Sequence, residues 1–258
     1  MSRLFLPIVL LSGCYEFEGD RGVLGFVSNL VDPSHPDGWS PEVPIAAGTD
    51  ATFLPVKRLG LSDEEEEALG PIQVTGSARG LDERWTDGPE LTVTGSHGQD
   101  GVVRYRGELR DHFSVAFTEV EELVVGEPLV MLADSMVKPD ELWMLEGASI
   151  DLVAAAYGAD GAVGFAVSDL LVEGAEPTES GLRVLADHDR VVRLELMGAV
   201  RELPVHVLQP EDLVATLRIE HPIELGDDTL TLVREVGLAR DGALVLLPDS
   251  PAVIEQAP

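Results

Sequence analysis

The chain has 258 residues with 47 Asp and Glu against 17 Lys and Arg, a formal net charge of −30 at neutral pH. A surface that acidic repels phosphate backbones and anionic headgroups, which argues against nucleic acid as a partner and leaves cationic groups or divalent ions as permitted ones. Hydrophobic residues at 45% argue against charge-driven disorder, and a single cysteine excludes an internal disulfide or a cysteine metal site.

In chain order, the first segment is Met1-Ser2-Arg3, the apolar run Leu4 to Leu11, then Ser12, Gly13 and Cys14. One positive charge, a short apolar core and small residues form the three-part layout of an export signal. As a helix the run would span about 12 Å at roughly 1.5 Å per residue, against about 30 Å of bilayer hydrocarbon, so it is too short to cross a membrane. Pro7 within it points the same way.

Leu11-Ser12-Gly13-Cys14 resembles the lipobox of bacterial lipoproteins. That resemblance implies a signal peptide over residues 1–13, cleavage before Cys14, and attachment of diacylglycerol to the Cys14 sulfur, chemistry that needs the nucleophilicity of a thiolate. It also implies a membrane partner held through Cys14, since two or three acyl chains at about 0.8 kcal/mol per buried methylene anchor a protein durably. In that family an aspartate after the cysteine favours the inner membrane; Tyr15 stands here, which favours the outer membrane or cell surface.

Residues 14–42 are rich in Gly, Pro, Asp and Ser, with Pro33, Pro36 and Pro41, and read as a lipidated N-terminus and tether, with Val23 to Leu30 as an alternative first strand. From there the apolar residues alternate in short blocks, as at Ile72–Thr75, Leu91–Thr94, Phe113–Phe117, Val191–Leu196 and Leu230–Val233, which is strand patterning. Asp87-Gly88, Asp100-Gly101, Asp160-Gly161 and Asp241-Gly242 suit tight turns between strands. One segment, Ser62 to Gly70, carries a capping serine, a glutamate three residues on and a terminal glycine, and reads as a short surface helix or an acidic loop.

An internal repeat is visible. Val43–Leu54 lines up with Leu142–Val153 at an offset of 99, each with an apolar residue, a central glycine and an alternating strand; Phe113–Phe117 lines up with Leu203–Val207 at an offset of 90. The difference of nine equals the length of Ser62–Gly70, which therefore reads as an insertion into the first copy. The pattern resembles the immunoglobulin-like β-sandwich modules of bacterial surface proteins, without the Cys, Trp, Cys framework of antibody domains. An all-β fold with two tandem modules follows as the expectation: 43–124 for the first with its insert at 62–70, a linker or first strand over 125–140, and 141–258 for the second. Residues 215–258 are too few for a third sandwich, so they complete or extend the second module or leave a strand edge available to a partner.

Sequence signatures of catalysis are missing: the chain has no Gly-x-Ser-x-Gly, His-Glu-x-x-His, phosphate-binding Gly-x-x-x-x-Gly-Lys or Cys-x-x-Cys. Asp187-His188-Asp189 is the most ligand-like cluster, and a polar hairpin turn is its plainer reading. Calcium is the ion best suited to the remaining acids, with Asp32 and Asp37 or Asp227 and Asp228 as oxygen donors, although no complete calcium loop occurs. Trp39, Trp85 and Trp143 offer either a carbohydrate-stacking surface or core packing. The expectation is a lipid-anchored, non-enzymatic envelope protein for binding, spacing or assembly, with no required cofactor and an envelope protein as its candidate partner. A surface adhesin, a calcium-dependent binding module and a hydrolase on a sandwich scaffold are the alternatives.

Overall fold

The computed structural model describes residues 15–32, 39–70, 72–81, 88–127, 139–178, 181–225, 228–248 and 253–256, and over them the protein is all-β with one short α-helix. The first group of elements is β1 (Tyr15–Glu18), β2 (Leu24–Ser28), β3 (Leu30–Val31), β4 (Ile45–Ala46), β5 (Ala51–Arg58), α1 (Asp63–Leu69), β6 (Val74–Arg79), β7 (Leu91–Val93), β8 (Asp100–Gly107) and β9 (Arg110–Thr118). Sheet β1-β2-β5-β7 and sheet β4-β9-β8-β6 enclose one hydrophobic cluster. The reason is alternation: in β9, Asp111, Phe113, Val115 and Phe117 point inward while the residues between them are more exposed.

The second group runs β10 (Glu122–Gly126), β11 (Leu142–Leu145), β12 (Ser149–Gly158), β13 (Gly161–Val163), β14 (Phe165–Ala166), β15 (Leu171–Glu173), β16 (Glu176–Pro177), β17 (Leu182–Leu185), β18 (Arg190–Leu196) and β19 (Ala199–Leu208). It is followed by β20 (Leu213–Leu225), β21 (Asp228–Ala239), β22 (Leu244–Leu246) and β23 (Val253–Gln256). Sheet β10-β12-β17-β16 and the larger sheet β15-β18-β19-β11-β22-β21-β20 share a second cluster; β13 pairs with β12, and β23 with β21.

The sequence repeat has a structural counterpart. β4, Gly48 and β5 correspond to β11, Gly147 and β12, and both glycines hold positive φ, 93° and 82°. β4 pairs in parallel with β9 at Ile45 and Phe117, and β11 pairs in parallel with β19 at Met144 and Val207, positions displaced by the same 99 and 90 residues. The Ser62–Gly70 segment is the helix: Ser62 and Glu65 cap each other, with the Glu65 N–H donating to Ser62 Oγ at 3.3 Å and the Ser62 N–H to Glu65 Oε2 at 3.0 Å, and Gly70 closes it at φ 72°.

Three sequence expectations need correction. Residues 15–31 are sheet and not tether: β1 pairs with β2, β2 with β5, and Phe17, Leu24, Phe26 and Leu30 are buried in or at the core. The strand Glu122–Gly126 pairs with β12, and Leu123 and Val125 lie in the second cluster, so the end of the first expected module belongs to the second set of sheets. Asp100-Gly101 lies inside β8 opposite Ala116 and Val115, where a Cβ on Gly101 would sit 2.9 Å from the Arg79 carbonyl oxygen; the glycine serves close strand packing and not a turn. Asp160-Gly161 and Asp241-Gly242 do form turns, with φ 128° and 94° at the glycines.

The two cores differ in kind. The first is aromatic: Phe113 packs edge-on against Phe17 at 4.8 Å and Phe53 at 4.9 Å between ring centroids, and Tyr105 donates its hydroxyl to the Phe53 carbonyl at 2.8 Å. The second is built from Leu, Val, Ala, Ile and Met144, with Phe165 its one aromatic among the buried residues. Residues 30–31 and 39–46 clip the two together. β3 pairs with β14, the Ala46 N–H donates to the Gly164 carbonyl, the Gly164 N–H donates to the Pro44 carbonyl, and the Trp39 indole occupies the space a side chain at Gly164 would need.

Asp111 is the buried charge of the first core, 2% exposed. Its Oδ1 accepts from the N–H of Arg21 (3.0 Å) and of His112 (2.8 Å), and its Oδ2 from those of Val23 and Leu24 (both 2.9 Å). Burial pushes this carboxyl up, but the four backbone donors outweigh it and hold it below the usual carboxylate range. It thereby staples the turn between β1 and β2 to β9, and Gly19 is required because a Cβ there would collide with the carboxylate.

Candidate binding edge

β20 and β21 form the longest hairpin, paired from Leu213–Ala239 to Leu225–Asp228 with one bulge between Leu213 and Ala215. β21 is held on its other side by β22 and β23, whereas β20 pairs only with β21 among the described residues and ends the sheet. Seven consecutive residues, Val214 to Glu220, are exposed, so both faces of the strand are bare as well as its edge. Val214, Leu217 and Ile219 supply apolar surface there, and Arg218 Nε donates to Glu220 Oε1 at 3.0 Å on one face. An unpaired row of backbone N–H and C=O groups is a template for adding a strand. The sequence pointed to the C-terminal 44 residues as the place for such an edge; it did not identify which strand, because an edge and an internal strand share the same alternation.

The same large sheet turns a second surface outward. Leu171, Glu195 and Val200 form one row across β15, β18 and β19, Glu173, Arg193 and Glu202 the next, and Val191 and Pro204 a third. Beyond them Trp143 of β11 stacks on His206 of β19 at 4.2 Å between centroids, and Glu141 lies 3.3 Å from His206 Nε2. Arg193 ties the first two rows together through Glu195 at 2.8 Å.

The residues singled out from sequence do not gather into one site. Leu11, Ser12, Gly13 and Cys14 lie outside the described residues, and β1 begins immediately after them at Tyr15. Asp187, His188 and Asp189 form a bend that carries the chain from β17 in one sheet to β18 in the other, so the segment is a sheet-to-sheet connection and not the hairpin turn expected. Its acids are engaged: Asp187 Oδ1 meets Arg190 Nη2 at 2.9 Å and His188 Nδ1 at 3.1 Å, and Asp189 Oδ1 accepts the Val207 N–H at 2.7 Å. Asp187 is raised by desolvation but held below its ordinary range by its own and the His188 backbone N–H groups and by Arg190 and His188.

Asp227 and Asp37 lie outside the described residues, Asp228 opens β21, and Asp32 is buried at the end of β3. Among the described residues no group of three or more His, Cys, Asp or Glu is arranged to hold a metal ion. Trp39 is core, Trp85 lies outside the described residues, and Trp143 is half-buried against His206, so Trp39 and Trp143 do not share a stacking surface. Asp111 was missed from sequence, although its signal is legible: it sits in phase with Phe113, Val115 and Phe117 on the buried face of an alternating strand.

No family model matches the chain, and no curated protein is similar to it in sequence. Among solved structures it is similar over 77% of its length to the three N-terminal domains of the bacteriophage RB49 Highly Immunogenic Outer Capsid protein (Hoc), covering 67% of that chain at 14% identity and a TM-score of 0.27. It is similar over 78% of its length to domains 1–6 of the surface layer protein SbsC, covering 30% of that chain at 12% identity and a TM-score of 0.24. No functional property follows from similarity at this level.

Proposed function

We propose that this protein is a lipid-anchored cell-envelope module that works by docking, built as two tandem immunoglobulin-like sandwiches and offering β20 as the strand to which another polypeptide adds. The observation that carries the reading is β20 itself, a thirteen-residue strand at the end of its sheet whose Val214–Glu220 stretch is exposed on both faces. Thirteen residues far exceed the usual strand, and proteins generally shorten or cover such edges. The acids that sequence suggested as metal ligands at Asp187 and Asp189 are occupied in structural bonds, which supports binding over metal-dependent catalysis. The address rests on the Leu11–Cys14 motif; since β1 starts at Tyr15, acylation of Cys14 would seat the first sandwich close to the bilayer.

Two measurements test the reading. Intact mass and detergent partitioning of the native protein beside Cys14→Ser are expected to give an acylated, detergent-phase form starting at Cys14 that the variant loses; a water-soluble chain retaining Met1 refutes the anchor. A photo-crosslinking residue placed in the native cell at Thr216 of β20 is expected to give a discrete adduct, and one at Glu64 of α1 is not. Equal capture at both positions refutes docking through β20.

A further inference from the structure

We infer that the strand added to β20 is β20 of a second copy of this chain, paired antiparallel about Ile219. The inference rests on the reading of β20 as the docking strand and adds to it the identity of the partner. Ile219 is the midpoint of Leu213–Leu225, so a two-fold axis through it lets the whole strand pair with itself, Leu213 opposite Leu225 and Thr216 opposite Pro222. Pro222 cannot donate, which removes at most one ladder bond on each side of the axis.

The same axis sets Arg218 of each copy opposite Glu220 of the other. Within one copy these two already share a face, linked at 3.0 Å, and Arg218 lies opposite Glu235 on β21. Self-pairing therefore closes a ring in which each guanidinium is flanked by carboxylates, the arrangement that favours opposite charges across strands. Moving the axis by one residue sets Arg218 against itself or Glu220 against itself, a like-charge contact. On the other face Ile219 meets its own copy, removing from water a side chain 38% exposed in the single chain. Two bodies of charge −30 repel at long range, but beyond a Debye length of about 8 Å at physiological ionic strength that repulsion is screened, and the ring at the axis acts at contact distance.

The experiment is sedimentation velocity on the full-length Cys14→Ser chain at physiological ionic strength, over a wide concentration range, with Arg218→Glu, Glu220→Arg and an equimolar mixture of the two. The parent is expected to form a dimer, each single reversal to weaken association about tenfold or more, and the mixture to restore it, because each copy then supplies the charge the other lacks. A parent monomeric at every concentration overturns the inference, as does a dimer that neither reversal weakens. The photo-crosslinking residue at Thr216 separates this failure from that of the docking reading. A monomer with an adduct to a different protein at Thr216 removes the second copy and keeps the docking strand, and a monomer with no adduct removes both.

Discussion

Replacing Asp111 with Asn changes one atom of a buried carboxylate and leaves its shape intact, which isolates the work of its four hydrogen bonds. Oδ1 serves Arg21 and His112, and Oδ2 serves Val23 and Leu24. An amide keeps one acceptor oxygen, so one pair of backbone N–H groups faces an NH2 that cannot accept from them. An unsatisfied buried donor costs about 1–3 kcal/mol, and the surviving pair loses the strength of a charged acceptor. With water reaching at least one part-buried donor of whichever pair is abandoned, the expected loss is about 3 kcal/mol. For a urea dependence of about 2 kcal/mol per molar this lowers the unfolding midpoint by roughly 1.5 M.

The folded-state carboxyl of Asp111 titrates below its unfolded value of about 3.9, so its contribution is complete above that pH and disappears as pH falls through the folded value. The stability gap between parent and Asp111→Asn is therefore expected to be full at pH 7 and to narrow below about pH 4. The gap is the right quantity because every other acid is common to both proteins, so the charge repulsion they contribute cancels in it. Urea melts followed by the fluorescence of Trp39, buried in the same core, supply both numbers. A midpoint within about 0.3 M of the parent, or a gap that stays constant from pH 7 to 3, refutes the staple.

Phe113→Ala removes the ring that packs against Phe17, Phe26 and Phe53 and is expected to cost about 4 kcal/mol by chemical denaturation; under 1 kcal/mol would mean those ring contacts are not formed. Gly164→Ala puts a methyl 2.7 Å from Trp39 Nε1, where the indole donates to the Val43 carbonyl, and is expected to cost about 2 kcal/mol with a red-shifted Trp39 emission; an unshifted spectrum speaks against the clip between the cores. Gly147→Ala meets no neighbour within 4 Å but must hold φ near 82°, so a loss of about 1–2 kcal/mol in thermal unfolding is expected, and none if the turn is free to rearrange. The bidentate Arg183–Asp151 pair is about half-exposed, and a double-mutant cycle on it is expected to give a weak coupling that vanishes at high salt; a strong salt-independent coupling would mean the pair is shielded from water.

The all-β architecture was legible because strand alternation and positive-φ glycines are local properties: Gly48 and Gly147 could be aligned before any pairing was known. The first strands were less so. Leu24, Phe26, Ser28 and Leu30 alternate and are all buried, yet they lie among glycines, prolines and aspartates whose composition reads as a linker. The clip formed by residues 30–31 and 39–46 was invisible for a different reason, since a two-residue bridge such as β3 to β14 has no periodicity to detect. The edge character of β20 is likewise a property of the sheet and not of the strand: its residues alternate like those of β18, and only the absence of a described neighbour beyond β20 separates them. Arg218 and Glu220 became informative only once the strand limits fixed Ile219 as its midpoint.

The unequal division of aromatic residues between the two cores governs what light can report about this protein. Phe17, Phe26, Phe53, Phe113, Trp39 and Tyr105 crowd the first, while the second holds Phe165 and otherwise aliphatic chains, with Trp143 at the surface above it. Near-ultraviolet dichroism and quenching of buried tryptophan thus gauge the N-terminal half and are almost blind to the C-terminal half that bears β20. A variant that loosens β20 and its sheet would leave the signals of Trp39 and Tyr105 in place, so Trp143 and the methyl resonances of the second core are the reporters for that half of the molecule.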